Sequence, residues 1–430
     1  MRILVLGGYG LIGLEIVRCL RAAGHEVVGL GRSTAKGRAA APDIAWIGAD
    51  IAALTTPQAW APHIAGVDAI VNAAGALQDG ARDNLRATQQ DAIVALIQAC
   101  AGKPIRFVQI SAPGAAVDAP TAFMRTKGVA DAALRASGLD WFILKPALVI
   151  SANAYGGTSL LRMLAALPCA QVQVLGKSRV QSVAATDVAD AARLALEGKV
   201  EARRDYDLAE AQSHALADVI AKFRAWLGFS PARLRIELPT ALGYCIALFA
   251  DLAGWLGWRS PLRSTALRVL AQDVKGDGRA WAAATGARLK SLDETLASLP
   301  ATAQERAYAR VQILLPLLAL TLSGFWLASG AIGIAQRDAA ARVLEGAVSP
   351  QLAMALVLGG AVADIAIGLG VLLRPFTRAA ALAAVALSLL YLIAGTWLTP
   401  HLWADPLGPF VKIFPSIALA LAVAAFVGER

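Results

Sequence analysis

The stretch that decides the fold is Ile3-Leu4-Val5-Leu6-Gly7-Gly8-Tyr9-Gly10-Leu11-Ile12-Gly13. Ile3 to Leu6 is a short, unbroken apolar run rich in branched side chains, as expected of a parallel strand buried on both faces. Leu14, Ile16, Val17, Leu20 and Ala23 then recur at helical spacing until Gly24, and Glu26 to Leu30 reads as a second strand. Strand, glycine loop, helix and strand in that order make a dinucleotide cradle. The glycines let backbone approach a pyrophosphate, and the helix N-terminus presents free N–H groups and a positive dipole end to it. Gly7, Gly8, Tyr9, Gly10, Leu11, Ile12 and Gly13 are therefore candidate cofactor contacts.

Outward from this loop, the second strand ends Leu30-Gly31-Arg32-Ser33, with Lys36 close behind. An acid here would bind the ribose 2′-OH of NAD. Arg32 instead suits a 2′-phosphate, with Ser33 and Lys36 beside it, so NADP(H) is the expected cofactor ahead of NAD(H).

The 430 residues are 57% hydrophobic and only 17% charged, where a soluble domain carries about 25% charged. The deficit is uneven: Val311 to Arg430 holds 6 Lys/Arg and 5 Asp/Glu, leaving 34 basic and 26 acidic residues in the first 310. An ordinary α/β part is thus followed by a lipid-facing part. The net charge of +9 comes without a Lys/Arg run interleaved with aromatics, so nucleic acid is not an expected partner. Cys19, Cys100, Cys169 and Cys245 form no CxxC pair and the four histidines no HExxH, so no metal site is expected. Met1-Arg2-Ile3-Leu4-Val5-Leu6 does not read as a signal peptide, which places the front of the protein in the cytoplasm.

Further segments agree with one family in chain order. Gly7, Gly10 and Gly13 stand in GxxGxxG spacing. Gly48-Ala49-Asp50-Ile51 follows a third strand, Val71-Asn72-Ala73-Ala74-Gly75 ends a fourth, and Ile110-Ser111-Ala112 a fifth. Lys145-Pro146 follows a sixth at Trp141 to Leu144, and Ser182-Val183 with Thr186-Asp187-Val188-Ala189 comes later. Residues 1–235 resemble an atypical or extended short-chain dehydrogenase/reductase. The resemblance implies a Rossmann-type doubly wound parallel sheet with a small substrate subdomain. It implies Asp50 beside the adenine, Ala73, Ala74, Gly75 and Pro146 along the cofactor, Ser111 orienting a substrate carbonyl, and Lys127 on the nicotinamide ribose.

The family's Tyr-x-x-x-Lys stands here as Phe123-Met124-Arg125-Thr126-Lys127. Phe123 has no hydroxyl and cannot be a general acid. Two readings stay open. A substitute donor such as Tyr155, in the substrate-side loop, restores ordinary reduction. Otherwise the domain binds NADP as a structural, assembly or redox-sensing module, like the NADPH-binding accessory subunit of respiratory complex I. An isomerase or epimerase, which also wants the missing Tyr, is a third and weaker reading.

Asp205 to Leu208 reads as a strand and Leu216 to Leu227 as a helix. Residues 236–305 read as an amphipathic linker. Within it, Pro239 to Trp258 is apolar, contains Asp251, and fits an interfacial helix, a packed soluble helix or a span; Arg259, Arg263 and Arg268 follow, facing headgroups or water. Residues 306–430 read as an all-α transmembrane four-helix bundle, with spans at Val311–Ala335, Pro350–Leu373, Ala379–Leu398 and a shorter one at Phe414–Gly428 extended by a snorkelling Lys412. The loop holding Arg374 and Arg378 is basic and Thr399 to Gly408 has no Lys/Arg, which sets both termini in the cytoplasm of a multi-pass inner-membrane protein.

Phe325-Trp326-Leu327-Ala328-Ser329-Gly330-Ala331-Ile332-Gly333 and Ala363-Asp364-Ile365-Ala366-Ile367-Gly368-Leu369-Gly370 resemble the DoxX-like family of small bacterial membrane proteins. That resemblance implies quinone-linked oxidation in some members. Asp364, an ionisable group deep in a span, is a candidate proton relay, a polar contact for a quinone headgroup, or a structural hydrogen bond. Together these readings predict a membrane-anchored NADPH-dependent oxidoreductase with a lipophilic or quinone-like substrate. The expected partners are that substrate, the lipid bilayer and other membrane proteins.

Overall fold

The structure, a computed structural model, describes residues 1–80, 83–258, 260 and 262–428. Arg259, expected to face headgroups or water, lies outside the described residues. The chain divides into two compact units: residues 1–252 with 260–306, and residues 253–259 with 307–430.

The first unit is built on a seven-stranded parallel sheet. Its strands are β1 (Arg2–Leu6), β2 (Glu26–Gly31), β3 (Ala45–Gly48), β4 (Ala69–Asn72), β5 (Arg106–Ile110), β6 (Asp140–Pro146) and an edge strand, Arg204–Leu208. Their spatial order is edge strand, β6, β5, β4, β1, β2, β3, so the chain reverses direction of travel between β3 and β4. Ligands of such sheets bind outside the carboxyl ends of the strands at that switch point, here between β1 and β4. The apolar run of β1 has a direct cause. Ile3 and Val5 face one core cluster with α1 (Leu11–Ala22), while Leu4 and Leu6 face another with Trp60 and Ile93. All four are fully buried, each contributing roughly 1.5–3 kcal/mol of burial.

Shorter strand pairs, Leu148–Ile150 with Ser182–Ala184 and Ala170–Gln173 with Leu234–Glu237, build the small subdomain. Buried Glu210 knits it together: it accepts from Ser182 N at 2.8 Å, Ser182 Oγ at 2.6 Å and Leu292 N at 2.8 Å, and lies 3.2 Å from His214 Nε2. The bond to Leu292 and the stacking of Trp281 edge-on against Tyr206 draw the later part of 236–305 into this unit instead of leaving it as a linker. Arg263 likewise turns inward: it pairs with Asp251 at 2.8 Å and its side chain is 12% exposed. The helix Thr240–Trp255 nevertheless leaves Phe249, Leu252 and Trp255 more than half exposed.

The second unit is helical. Ala303–Ala335, Pro350–Leu372 and Thr377–Leu398 are apolar and long enough to cross a membrane. At 1.5 Å per residue the shortest of them reaches about 33 Å, against a hydrocarbon core of about 30 Å. The expected fourth span is shorter: Ile413–Phe426 has 14 residues and reaches about 21 Å. Lys412 is its N-cap and Val427 its C-cap, so among the described residues only three helices meet the length. Small residues bring these helices close; a β-carbon on Gly330 would fall 2.5 Å from Ala361 O. Trp258 Nε1 donates to Leu372 O at 2.7 Å and Arg374 N to Leu256 O at 3.0 Å, fastening residues 253–258 to the end of one long helix.

Candidate functional site

The cradle follows from backbone geometry. Gly7 has φ +68° and donates to Leu30 O at 2.9 Å; a β-carbon there would sit 2.9 Å from Ala74 Cα. A β-carbon on Gly13 would stand 2.2 Å from Gly7 O. Gly10 precedes α1 in extended conformation and no side chain caps the helix, so its first N–H groups remain available to an anion. Ala73 N donates to Leu6 O, seating Ala73 and Ala74 against the loop. This space, which a β-carbon would fill, and the uncapped helix end fit a pyrophosphate. The Tyr9 hydroxyl accepts from Ser33 N at 3.3 Å, closing the loop over the end of β2.

Ser33 caps the next helix, accepting from Lys36 N at 3.3 Å. Arg32 pairs with Asp83 at 3.0 Å, its side chain 43% exposed. The acid that the end of β2 lacks is thus supplied from a distant loop, and it competes with any 2′-phosphate for the same guanidinium. Asp50 caps a single turn at Ile51–Ala53, accepting from Ala52 N at 3.2 Å. Pro146 is buried at the end of β6.

The far end of the site is set by the helix Ala122–Arg135, capped by Thr121. Phe123, Lys127 and Asp131 recur every four residues and share one helical face. Lys127 is buried; its Nζ donates to Ile110 O at 2.9 Å and lies 5.8 Å from the Phe123 ring centroid. Burial pushes its ammonium down to about 8, opposed by the negative charge of Asp131. Ser111 is buried at the end of β5 and its Oγ donates to Asp131 Oδ2 at 2.5 Å. Burial pushes the Asp131 carboxyl up, against the Ser111 hydrogen bond and the charges of Lys127, Arg135 and Lys145.

The structure therefore brings Ser111 and Lys127 together, and adds Asp131 to them. It also adds Gln89, on a π-helical segment at Arg86–Asp91. A β-carbon on Gly75 would lie 3.4 Å from Gln89 Oε1 and 3.7 Å from Lys127 Nζ. Gln89 Nε2 donates to Ala76 O at 2.8 Å, while its buried Oε1 has no hydrogen-bond partner among the described residues. No sequence motif marks Gln89; Asp131 carries a signal, its four-residue spacing from Lys127. Tyr155 is not joined to this group. The residue is 52% exposed, and among the described residues its hydroxyl makes no hydrogen bond to Ser111 or Lys127.

In the second unit, Ser329 Oγ donates to Asp364 Oδ2 at 2.6 Å and the Tyr391 hydroxyl to Asp364 Oδ1 at 2.9 Å. Three membrane-length helices meet at that buried carboxyl, each of its oxygens holding a hydroxyl.

Residues 7–197 match the model of the NAD(P)H-binding family and residues 323–421 that of the DoxX-like family. The chain joins an NAD(P)H-binding Rossmann domain to a DoxX-like domain. The Rossmann domain is similar in fold to the Bordetella bronchiseptica enzyme WbmH in complex with NAD+. The identity is 19% and the TM-score 0.53, over 72% of this chain and 98% of that one. It is similar too to the Escherichia coli NADPH-dependent quinone oxidoreductase QOR2 with NADPH, at 17% identity and TM-score 0.53, over 69% of this chain and 98% of that one. B. bronchiseptica WbmG with NAD and UDP aligns at 17% identity and TM-score 0.54, over 73% and 97%. No curated protein matches the chain. The family match makes the Rossmann domain one that binds NAD(P)(H), beside a DoxX-like domain of apolar helices.

Proposed function

We propose that this protein is a membrane-anchored, NADP(H)-dependent oxidoreductase that reduces a lipophilic, quinone-like acceptor at the cytoplasmic membrane face. One observation carries the reading: the chain that builds the glycine cradle and buries Ser111 beside Lys127 also carries three membrane-length apolar helices. The exposed Phe249, Leu252 and Trp255 of Thr240–Trp255 support a bilayer-facing position for that helix. The basic Arg374 and Arg378 loop supports a cytoplasmic Rossmann domain.

When bound, the dinucleotide would supply a hydride. Gly7, Gly10 and the first N–H groups of α1 would hold its pyrophosphate, Arg32 with Ser33 and Lys36 its adenosine end, and Lys127 its ribose. Ser111 would donate to the acceptor oxygen. A quinone suits a site with Phe123, because its reduced form spreads negative charge over a ring and needs less help from a tyrosine acid than a simple carbonyl does.

Purified protein in phospholipid nanodiscs should oxidise NADPH with menadione or a short-chain ubiquinone as acceptor, and the rate should fall at least tenfold in Gly13→Ala. NADPH binding without turnover on any quinone or carbonyl would leave the second reading, a cofactor-binding assembly or sensing module. Phe123 in the tyrosine position favours that reading.

A further inference from the structure

We propose that Asp131 is a positioning residue: it decides whether the Ser111 hydroxyl can donate its proton toward the substrate side. The proposal rests on the reading that Ser111 meets the acceptor oxygen. Its ground is geometric. Asp131 is wholly shielded from solvent, its Oδ2 is 2.5 Å from Ser111 Oγ, and among the described residues its Oδ1 has no hydrogen-bond partner.

A hydroxyl has one proton to give. When Asp131 is a carboxylate, that proton is committed to Oδ2 and Ser111 shows the site only lone pairs. When Asp131 is a carboxylic acid, the acid donates to Ser111 Oγ and the serine proton is free for an acceptor oxygen. No bond between heavy atoms changes; a proton arrives at Asp131 from solvent and the hydroxyl turns. The partnerless Oδ1 is what sets this pair apart from an ordinary buried hydrogen bond, because an ionised carboxylate with an empty oxygen is costly in this setting.

The charges around Asp131 leave the switch in reach. On its own helix stand Lys127 and Arg135, and on β6 stands Lys145. Asp205 of the edge strand holds Arg135 at 2.5 Å and Lys145 at 2.7 Å, so those two cations are already paired. Lys127 gives its hydrogen bond to Ile110 O and has no carboxylate at salt-bridge distance among the described residues. Burial raises the Asp131 carboxyl and lowers the Lys127 ammonium, drawing their titrations toward each other.

The test uses the full-length protein in nanodiscs and two readouts. In infrared difference spectra of wild type against Asp131→Asn, a protonated-carboxyl band should grow as pH is lowered, and Ser111→Ala should shift it. A missing band, or one that Ser111→Ala leaves unmoved, overturns the proposal; because Ser111→Ala keeps Asp131 intact, this holds even where Asp131→Asn folds poorly. In NADPH oxidation with menadione, the wild-type rate should fall roughly tenfold per pH unit above the titration midpoint. Asp131→Asn, whose amide donates to Ser111 at every pH, should lose that fall. A limb that survives unchanged in Asp131→Asn belongs to Lys127 and overturns the proposal. If the band titrates and shifts as expected but menadione is never reduced, the reductase reading fails and the Asp131–Ser111 switch stands.

Discussion

The Rossmann domain and the DoxX-like domain each bury an aspartate against a hydroxyl, and the two aspartates differ in how completely they are satisfied. Asp364 accepts from Ser329 on one oxygen and Tyr391 on the other. Among the described residues, Asp131 accepts from Ser111 on one oxygen only, and the other is an orphan in the core. A carboxyl with both oxygens bonded across three helices is held as a joint, and any change of state breaks a contact. A carboxyl with one free oxygen has a second arrangement within reach. In the Rossmann domain that group stands behind the serine of the site, and in the DoxX-like domain it ties the bundle together.

Several experiments would break or sharpen that contrast. The largest effect is expected at the cradle, which isolates one domain from the other. Gly13→Ala should weaken NADPH binding at least a hundredfold, about 2.8 kcal/mol, in a fluorescence titration, while the thermal unfolding of the DoxX-like helices stays put. Weakening by less than tenfold would mean that the loop relaxes around a methyl group.

Next comes the joint. Asp364→Ala strands the Ser329 and Tyr391 hydroxyls and leaves a cavity, and should cost about 2–4 kcal/mol of stability, read as a lower unfolding midpoint in detergent. Asp364→Asn keeps a partner for each hydroxyl and should cost about 1 kcal/mol. NADPH affinity should not move in either. Should Asp364→Ala keep full stability yet lose quinone turnover, Asp364 would be a working group and the contrast with Asp131 would collapse.

Asp131 should show the opposite signature, in pH rather than in bulk stability. Its folded pKa lies above the unfolded 3.8, so its contribution is complete below 3.8 and is lost as pH rises through the folded value. Lys127 runs the other way: its folded pKa is about 8 against 10.5 unfolded, so stability rises between those values, where the unfolded chain still holds the proton. Asp131→Asn removes the first term. Its melting temperature should exceed wild type by about 2–4 °C above the Asp131 titration and converge on it at low pH, by calorimetry. A constant offset at every pH would show a packing effect alone.

Smaller effects are expected at the rim. Asp83→Asn frees Arg32 from its partner carboxylate and should raise the preference for NADPH over NADH several-fold, whereas Arg32→Ala should lower it about tenfold, or about 1.4 kcal/mol. Equal affinities in all three proteins would show that the 2′-phosphate is not read there. Tyr155→Phe should change NADPH oxidation by less than about twofold, since the residue is exposed and, among the described residues, its hydroxyl is bonded to neither Ser111 nor Lys127; a loss of tenfold or more would make Tyr155 the proton donor.

Much of this molecule could be read in one dimension because the signals are local. A four-residue apolar run followed by Gly7, Gly10 and Gly13 can only be a buried strand turning into a helix, and 25 uncharged residues from Val311 to Ala335 leave little besides a span. The length of the last helix was less legible: apolar composition extends from Phe414 to Gly428, but helix geometry ends at Phe426. Residues 236–305 read as linker because the few apolar anchors of their later part, Trp281, Leu292 and Leu296, are scattered among charges, and their partners Tyr206 and Glu210 lie far back in the chain.

By itself, then, the sequence determined the nucleotide fold, the glycine loop between its first strand and helix, a Phe123 without a hydroxyl four residues before Lys127, and the presence of apolar helices. Each of those follows from residue type and near-neighbour spacing. Only the tertiary structure decided that Asp83 sits on Arg32, that Asp131 backs Ser111, that Gln89 reaches Gly75 and Lys127, and that Asp364 joins Ser329 to Tyr391. The reason is physical. A hydrogen bond or ion pair acts over about 3 Å, and which side chains come that close is set by how strands are ordered and helices cross, not by their separation along the chain.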